Sequence, residues 1–157
     1  MSVFTQIIEG TIPGRFAYED DVCVAFATVE PITPGHMLVV PRQEVAKYTD
    51  LDEQTWAHLM TVAQRIGKAQ IEAFSVPRSM LIVAGLQVPH THIHVIAATS
   101  EQDILFANAR SDVPASEMDS AVQAVRTALV KLGFGQYVPT SMNELDEHRK
   151  SGQPQPA

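Results

Sequence analysis

The chain has 157 residues, 45% of them hydrophobic, which is about one domain's worth of sequence with enough apolar material for one core. Its 11 Lys and Arg against 18 Asp and Glu give a net charge of −7, which leaves no basic footprint for polymeric nucleic acid or an anionic membrane. The single Cys excludes an intrachain disulfide and an all-Cys metal site. With no apolar run of about 18 residues and no basic leader, a cytoplasmic protein is expected.

In chain order, residues 4–10 predict a short helix, with Phe4, Ile7 and Ile8 at i, i+3 and i+4 and Gly10 as its stop. Residues 15–19 and 23–28 predict two strands turning at Asp20-Asp21. A Pro/Gly loop at 31–35 leads to a buried strand at 37–40. Asp50, with Glu53 in capping-box position, predicts the start of a helix of about six turns that Pro77 closes. Trp56, Leu59, Met60, Ala63, Ile66 and Phe74 form its buried face. Strands are predicted at 80–84 and 91–98, the second rich in β-branched residues. Ser116 opens a second helix carrying Met118, Val122, Val125, Leu129 and Leu132 on one face, ended by Gly133-Phe-Gly135. Strands, a helix, strands and a helix, with hairpin-like spacings, predict an α+β fold: an antiparallel sheet of about five strands with a long and a shorter helix packed on it. One domain is expected over residues 1–138, with core motifs at 3–98, a helical extension at 115–133 and a polar, flexible tail at 139–157.

Chemistry concentrates in Pro89-His-Thr-His-Ile-His-Val-Ile96. On a strand, His90, His92 and His94 share one face, and Thr91, Ile93 and Val95 take the other. Three titratable rings in a row are costly on a packed sheet unless they are hydrogen-bonded or used. One reading is a metal site, with three neutral imidazoles leaving a fourth position open. The other is nucleophilic catalysis, with one ring attacking phosphorus while its neighbours position it. Spacing does not decide between them. The absence of an acidic residue from 83–98 leans against a metal, whose His ligands usually have carboxylate or carbonyl partners.

This run resembles the His-φ-His-φ-His-φ-φ pattern of the histidine triad superfamily, where φ is hydrophobic and Thr91 is the weakest match. The surrounding residues resemble its Hint-like branch in order and spacing. They are Phe4-x-x-Ile7-Ile8-x-Gly10-x-Ile12-Pro13, Tyr18-Glu-Asp-Asp21-x-Cys23-x-Ala25-Phe26, Pro34-Gly-His-Met-Leu-Val-Val-Pro41 and Gly85-x-x-Val88-x-His90. The resemblance spans about residues 3–98.

It implies a nucleotide hydrolase that cleaves a phosphoramidate or phosphoanhydride bond at the α-phosphorus of a purine nucleotide. His92 would be the covalent nucleophile. His90 and His94 would flank it, with His94 on the phosphate oxygens and His36 completing the relay near His90. His94, where nucleotidyl transferases carry Gln, implies hydrolysis. Phe4, Ile7, Phe26 and Val29, with Val3 beside them, match the wall for the base. Gln87 matches a phosphate donor. No cofactor is implied, and a homodimer is.

Three departures stand out. Thr28, in Thr28-Val-Glu-Pro31, replaces an aspartate that grips the ribose, with Glu30 nearby. Met80-Leu-Ile-Val-Ala-Gly-Leu-Gln87 runs into the triad without the family's Asn-x-Gly loop. Thr5 and Glu44 stand where some bacterial members carry cysteine and histidine ligands to a structural zinc, so no such metal is expected. The alternatives are a nucleotide-binding regulatory module with little catalysis, motivated by Thr28 and the trimmed loop, and a metalloenzyme using the three triad histidines. His58 is expected on the solvated side of the long helix, His148 in the charged tail, Cys23 as a buried apolar residue, and Asp20-Asp21 as turn chemistry.

Overall fold

The apolar patterns condense into eight elements in the computed structural model, which describes residues 1–146. Helix α1 (Val3–Ile8) precedes β1 (Phe16–Glu19), β2 (Cys23–Ala27) and β3 (Met37–Pro41). Then come α2 (Glu53–Phe74), β4 (Arg78–Ile82), β5 (Ile93–Ala98) and α3 (Ala115–Lys131). The five strands form one antiparallel sheet in the order β1-β2-β3-β5-β4, an α+β architecture.

Strand alternation gives the sheet two apolar faces. Met37, Val39, Ile93 and Val95 turn toward α2 and α3, where Leu59, Val62, Ala63, Ile66, Val125 and Leu129 complete the larger core. Leu38, Val40, Val24 and Phe26 turn the other way and are covered by Phe4 and Ile8 of α1, Phe16 and Leu145. In register, Leu38 lies opposite His94 and Val39 opposite Ile93. The histidine therefore falls on the α1 face while its neighbour fills the helix-side core. Among the described residues, no helix is long and apolar enough to cross a membrane.

Several boundaries differ from expectation for identifiable reasons. Asp52, not Asp50, caps α2, its carboxylate accepting from Thr55 N at 2.7 Å, while Asp50 closes a 3₁₀ turn at Tyr48–Asp50. Pro114 occupies the cap of α3, and Ser116 lies inside the helix. Strand β4 starts earlier than expected, at Arg78, and β5 later, at Ile93. Thr91 leaves the ladder because its N–H and hydroxyl both donate to Val45 O, at 2.7 and 2.8 Å.

Residues 139–146, expected in the tail, are docked. Leu145 is 1% exposed, Phe16 N donates to Met142 O, and the buried Arg126 guanidinium donates to Phe16 O and Pro139 O. One apolar anchor and one buried cation were enough to tie the segment down. The rest of the expected tail, with His148, lies outside the described residues. His58 is also not a free surface group. It is half-buried, 2.7 Å from Asp20 Oδ2, which also accepts from Tyr18 Oη. Asp20 does perform turn chemistry, its other oxygen accepting from Val22 N and Cys23 N, and Cys23 is fully buried.

Candidate functional site

Thr33-Pro-Gly-His36 forms a turn closed by His36 N donating to Thr33 O, with Gly35 at φ +76°. Pro and Gly at its centre suit a type II turn, whose third residue needs positive φ. The turn delivers His36 to the sheet 2% exposed. Its carbonyl side is held by Gln70 of α2, whose Nε2 donates to Gly35 O and Val95 O and whose Oε1 accepts from Ser79. Gln70 was not singled out from sequence. The signal was its spacing: Gln70 follows Leu59, Ala63 and Ile66 on the apolar stripe of the helix, and the structure buries it fully.

The partners of the four histidines fix their protons. Ile32 N–H donates to His36 Nδ1 at 3.1 Å, so the proton of His36 is on Nε2. That Nε2 lies 2.9 Å from His94 Nδ1 and donates to it, so His94 carries its own proton on Nε2. His92 Nδ1–H donates to the His90 carbonyl at 2.7 Å, which leaves the lone pair on His92 Nε2. His90 Nε2–H donates to Pro41 O at 2.7 Å, and its Nδ1 accepts from Ser2 Oγ at 2.7 Å. His36 thus meets His94, and not His90 as the resemblance implied. The register explains this: the turn entering β3 faces the inner end of β5, whereas His90 precedes β5 and lies beside the far end of β3 at Pro41.

Both ring nitrogens of His90 are engaged, so the three triad histidines do not present a common set of metal-binding lone pairs. Beside it, Ser2, Thr5 and Glu44 form a hydrogen-bonded clasp. Thr5 Oγ1 donates to Glu44 Oε1 at 2.7 Å, Ser2 N–H donates to the same oxygen, and Thr5 N–H donates to Ser2 Oγ. The bond from Ser2 N and that from Thr5 hold the Glu44 carboxyl well below its usual range. Two hydroxyls, a satisfied carboxylate and an engaged imidazole do not suit zinc, which prefers thiolate and free imidazole nitrogen. Ser2 was missed at the sequence level, although it is the N-cap of α1.

Phe4 stands edge-on to His92, centroids 4.8 Å apart, and packs on Phe26 at 5.5 Å, with Ile7 against the same cluster. These three expected wall residues come together. Val29 does not join them and is 77% exposed. Gln87 is exposed on the loop before the triad, and Thr28 is half-buried with its hydroxyl accepting from Glu30 N. Phe106, which no sequence signal marked, meets His94 edge-on at 5.0 Å.

Burial pushes all four rings below the ordinary histidine value, His36 to about 3 and His94 to about 4. For His94 the neighbouring His92 adds to this, and for His36 the neighbouring His94 does. The unfolded rings protonate near pH 6.5 while the folded ones do not, so the unfolded state binds more protons below that pH. The stability due to neutral His36 and His94 is intact above about pH 6.5 and falls as pH drops toward 4. The slope is up to about 1.4 kcal/mol per pH unit for each ring. Urea denaturation from pH 7.5 to 4.5 measures this, and a His36→Asn, His94→Asn double variant is expected to show a shallower profile, the remaining slope coming from His90 and His92; a slope equal to the parent's would remove the pair from the account.

The fold has known counterparts. An adenosine 5′-monophosphoramidase of Saccharomyces cerevisiae is 29% identical over 118 residues, 74% of this chain and 72% of that protein. Among solved structures, a zinc-bound histidine triad family protein from Mycobacterium smegmatis is 26% identical with a TM-score of 0.73, covering 83% of this chain and 94% of that one. A hypothetical histidine triad nucleotide-binding protein from Sulfolobus tokodaii is 25% identical at the same TM-score, covering 82% and 92%. Residues 9–101, from the end of α1 through β5, match the HIT domain, and the chain belongs to that family, the histidine triad family.

Proposed function

We propose that the protein hydrolyses the bond at the α-phosphorus of a purine nucleoside phosphoramidate or phosphoanhydride through a covalent nucleotidyl-His92 intermediate. The observation that carries this reading is the proton arrangement: a lone pair on His92 Nε2, with a free N–H on its neighbour His94. The four burial-depressed rings stay neutral at pH 7, so the nucleophile needs no deprotonation before attack.

The His92 Nε2 lone pair forms the new N–P bond as the bond from phosphorus to the leaving nitrogen or oxygen breaks. The leaving group departs with that electron pair and a proton from solvent. His94 Nε2–H hydrogen-bonds a phosphate oxygen, where negative charge builds in the transition state, and His36 keeps that proton on Nε2. His92 retains its Nδ1 proton on the His90 carbonyl and so carries positive charge beside the phosphate. Water then forms the P–O bond, the N–P bond breaks with its electrons returning to His92, and a proton leaves to solvent. Phe4, Ile7 and Phe26 form the apolar side on which the base rests. Donors of this kind hold one phosphate despite the net −7, because preorganised local dipoles outweigh distant, screened charges.

The working unit in this reading is a homodimer. Strand β4 is an outer strand of the sheet, with Leu81 on it 42% exposed and Ile71 of α2 41% exposed. Light scattering is expected to give twice the chain mass, and Leu81→Lys to halve it; a monomeric parent removes this part of the reading.

The test of function is turnover of adenosine 5′-phosphoramidate beside calorimetry with AMP. Turnover together with binding supports the hydrolase. Binding without turnover supports the regulatory module that the Thr28 departure suggests.

A further inference from the structure

Outside the triad, the β1–β2 turn and the start of α2 bring together three side chains that the proposed hydrolysis does not use: Asp20, Cys23 and His58. Their donor atoms, a carboxylate oxygen, a sulfur and an imidazole nitrogen, all lie within 4.8 Å of one another. His58 Nε2 is 2.7 Å from Asp20 Oδ2, and Cys23 Sγ is 4.0 Å from the same oxygen. At that distance the fully buried thiol makes only a marginal hydrogen bond, aimed into the cluster.

The carboxylate is anchored from one side. Asp20 Oδ1 accepts from Val22 N at 2.8 Å and from Cys23 N at 2.9 Å, which holds Asp20 and Cys23 on one tight turn. Oδ2 is left toward His58 and Cys23. Tyr18 Oη, itself held by Arg65, donates to Oδ2 at 3.0 Å, the kind of outer bond that orients a ligating carboxylate. Donor atoms around a tetrahedral zinc lie roughly 3.4–3.6 Å apart. Admitting the ion therefore opens the His58–Asp20 pair by about 0.7 Å and closes the thiol–carboxylate pair by about 0.4 Å. The His58 side chain is 34% exposed and that of Asp20 12%, which gives the ion an entry and leaves a fourth position for water.

We propose that Asp20, Cys23 and His58 form a zinc site that clips the β1–β2 hairpin to α2. It shares no residue with the triad or with the Ser2–Thr5–Glu44 clasp. On binding, the Cys23 thiol proton leaves to solvent. His58 Nε2 gives up its hydrogen to present a lone pair, and the imidazole carries its proton on Nδ1. Burial, with the Asp20 carboxylate beside it, keeps the free thiol protonated, and a divalent cation supplies the opposing charge. One thiolate and one carboxylate cancel the charge of the ion, so the nearby Arg42 and Arg65 face a centre with no net charge. Thiolate and imidazole ligands select zinc over magnesium or calcium.

The test titrates the chelator-treated full chain with Co²⁺, a spectroscopic stand-in for zinc. Cys23 is the chain's one cysteine, so a sulfur-to-cobalt charge-transfer band reports this site and not ions held by the triad. The band is expected to saturate at equimolar Co²⁺ and to vanish when equimolar Zn²⁺ is added. Cys23→Ser removes it, and His58→Ala weakens Co²⁺ binding by more than about tenfold. Zn²⁺ raises the melting temperature of the parent and not that of His58→Ala. If Cys23→Ser does not fold, the His58→Ala comparison decides alone. A parent without the sulfur band, even one that binds cobalt elsewhere, overturns the site, as does a band of unchanged affinity in His58→Ala.

Discussion

Replacing His92 by Asn is expected to lower kcat/KM on adenosine phosphoramidate by about 10⁴-fold or more, the scale of losing a covalent nucleophile. The substitution is chosen for what it keeps. The Asn amide still donates toward the His90 carbonyl, replacing the 2.7 Å bond made by His92 Nδ1, so the melting temperature should shift little. What disappears is the lone pair facing phosphorus. Mass spectrometry of the wild-type protein, quenched in acid during turnover, is expected to show a nucleotidyl adduct on the peptide containing His92. The variant should show none. An adduct that maps to another histidine, or near-normal turnover by the variant, would remove His92 from the mechanism.

Gly35→Ala is expected to destabilise the protein by about 3 kcal/mol, roughly 10 °C in melting temperature for a chain of this size. Gly35 sits at φ +76°, a region that alanine enters only with strain. A Cβ there would lie 2.4 Å from Phe74 Cε2 and 2.6 Å from Phe74 Cζ, with a Val125 methyl at 3.3 Å behind. The new methyl has nowhere to go unless Phe74 moves, and α3 blocks one direction. Relief of the clash by Phe74→Leu should recover part of the loss and leave the φ strain. The same turn delivers His36, so a folded Gly35→Ala protein should also show weakened activity as the bond from His36 to His94 lengthens. A variant as stable as the parent would mean that the turn is looser than its geometry implies. Thermal unfolding of the single and double variants measures both parts.

How much of this was legible beforehand depends on the range of the interaction. Much of the strand and helix pattern was readable because periodicity is local: spacing along α2 put Leu59, Ala63 and Ile66 on one stripe, and alternation gathered the three histidines, although only His94 lies within β5 and His90 and His92 precede it. Phe4, Ile7 and Phe26 meet as the motif resemblance implied. The ends of elements were less readable. Asp50 and Asp52 are both acceptable caps by residue type, and only the 3₁₀ turn at Tyr48–Asp50 selects the second. The packing of residues 139–146 was invisible because it depends on Arg126 reaching Phe16 O, a contact 110 residues apart.

By itself, the sequence determined the class of the fold and the residue types of the site. Each of these follows from composition and short-range spacing. Tertiary structure decided the pairings that set the chemistry: His36 with His94, Ser2 with His90, Gln70 with the turn before His36, and Phe106 with His94. Those partners are 35 to 88 residues apart where the hydrogen bonds are concerned, and no local period encodes them. The tautomer of each imidazole, and so the location of the nucleophilic lone pair, is set by which carbonyl, amide or hydroxyl the folded chain brings to each nitrogen.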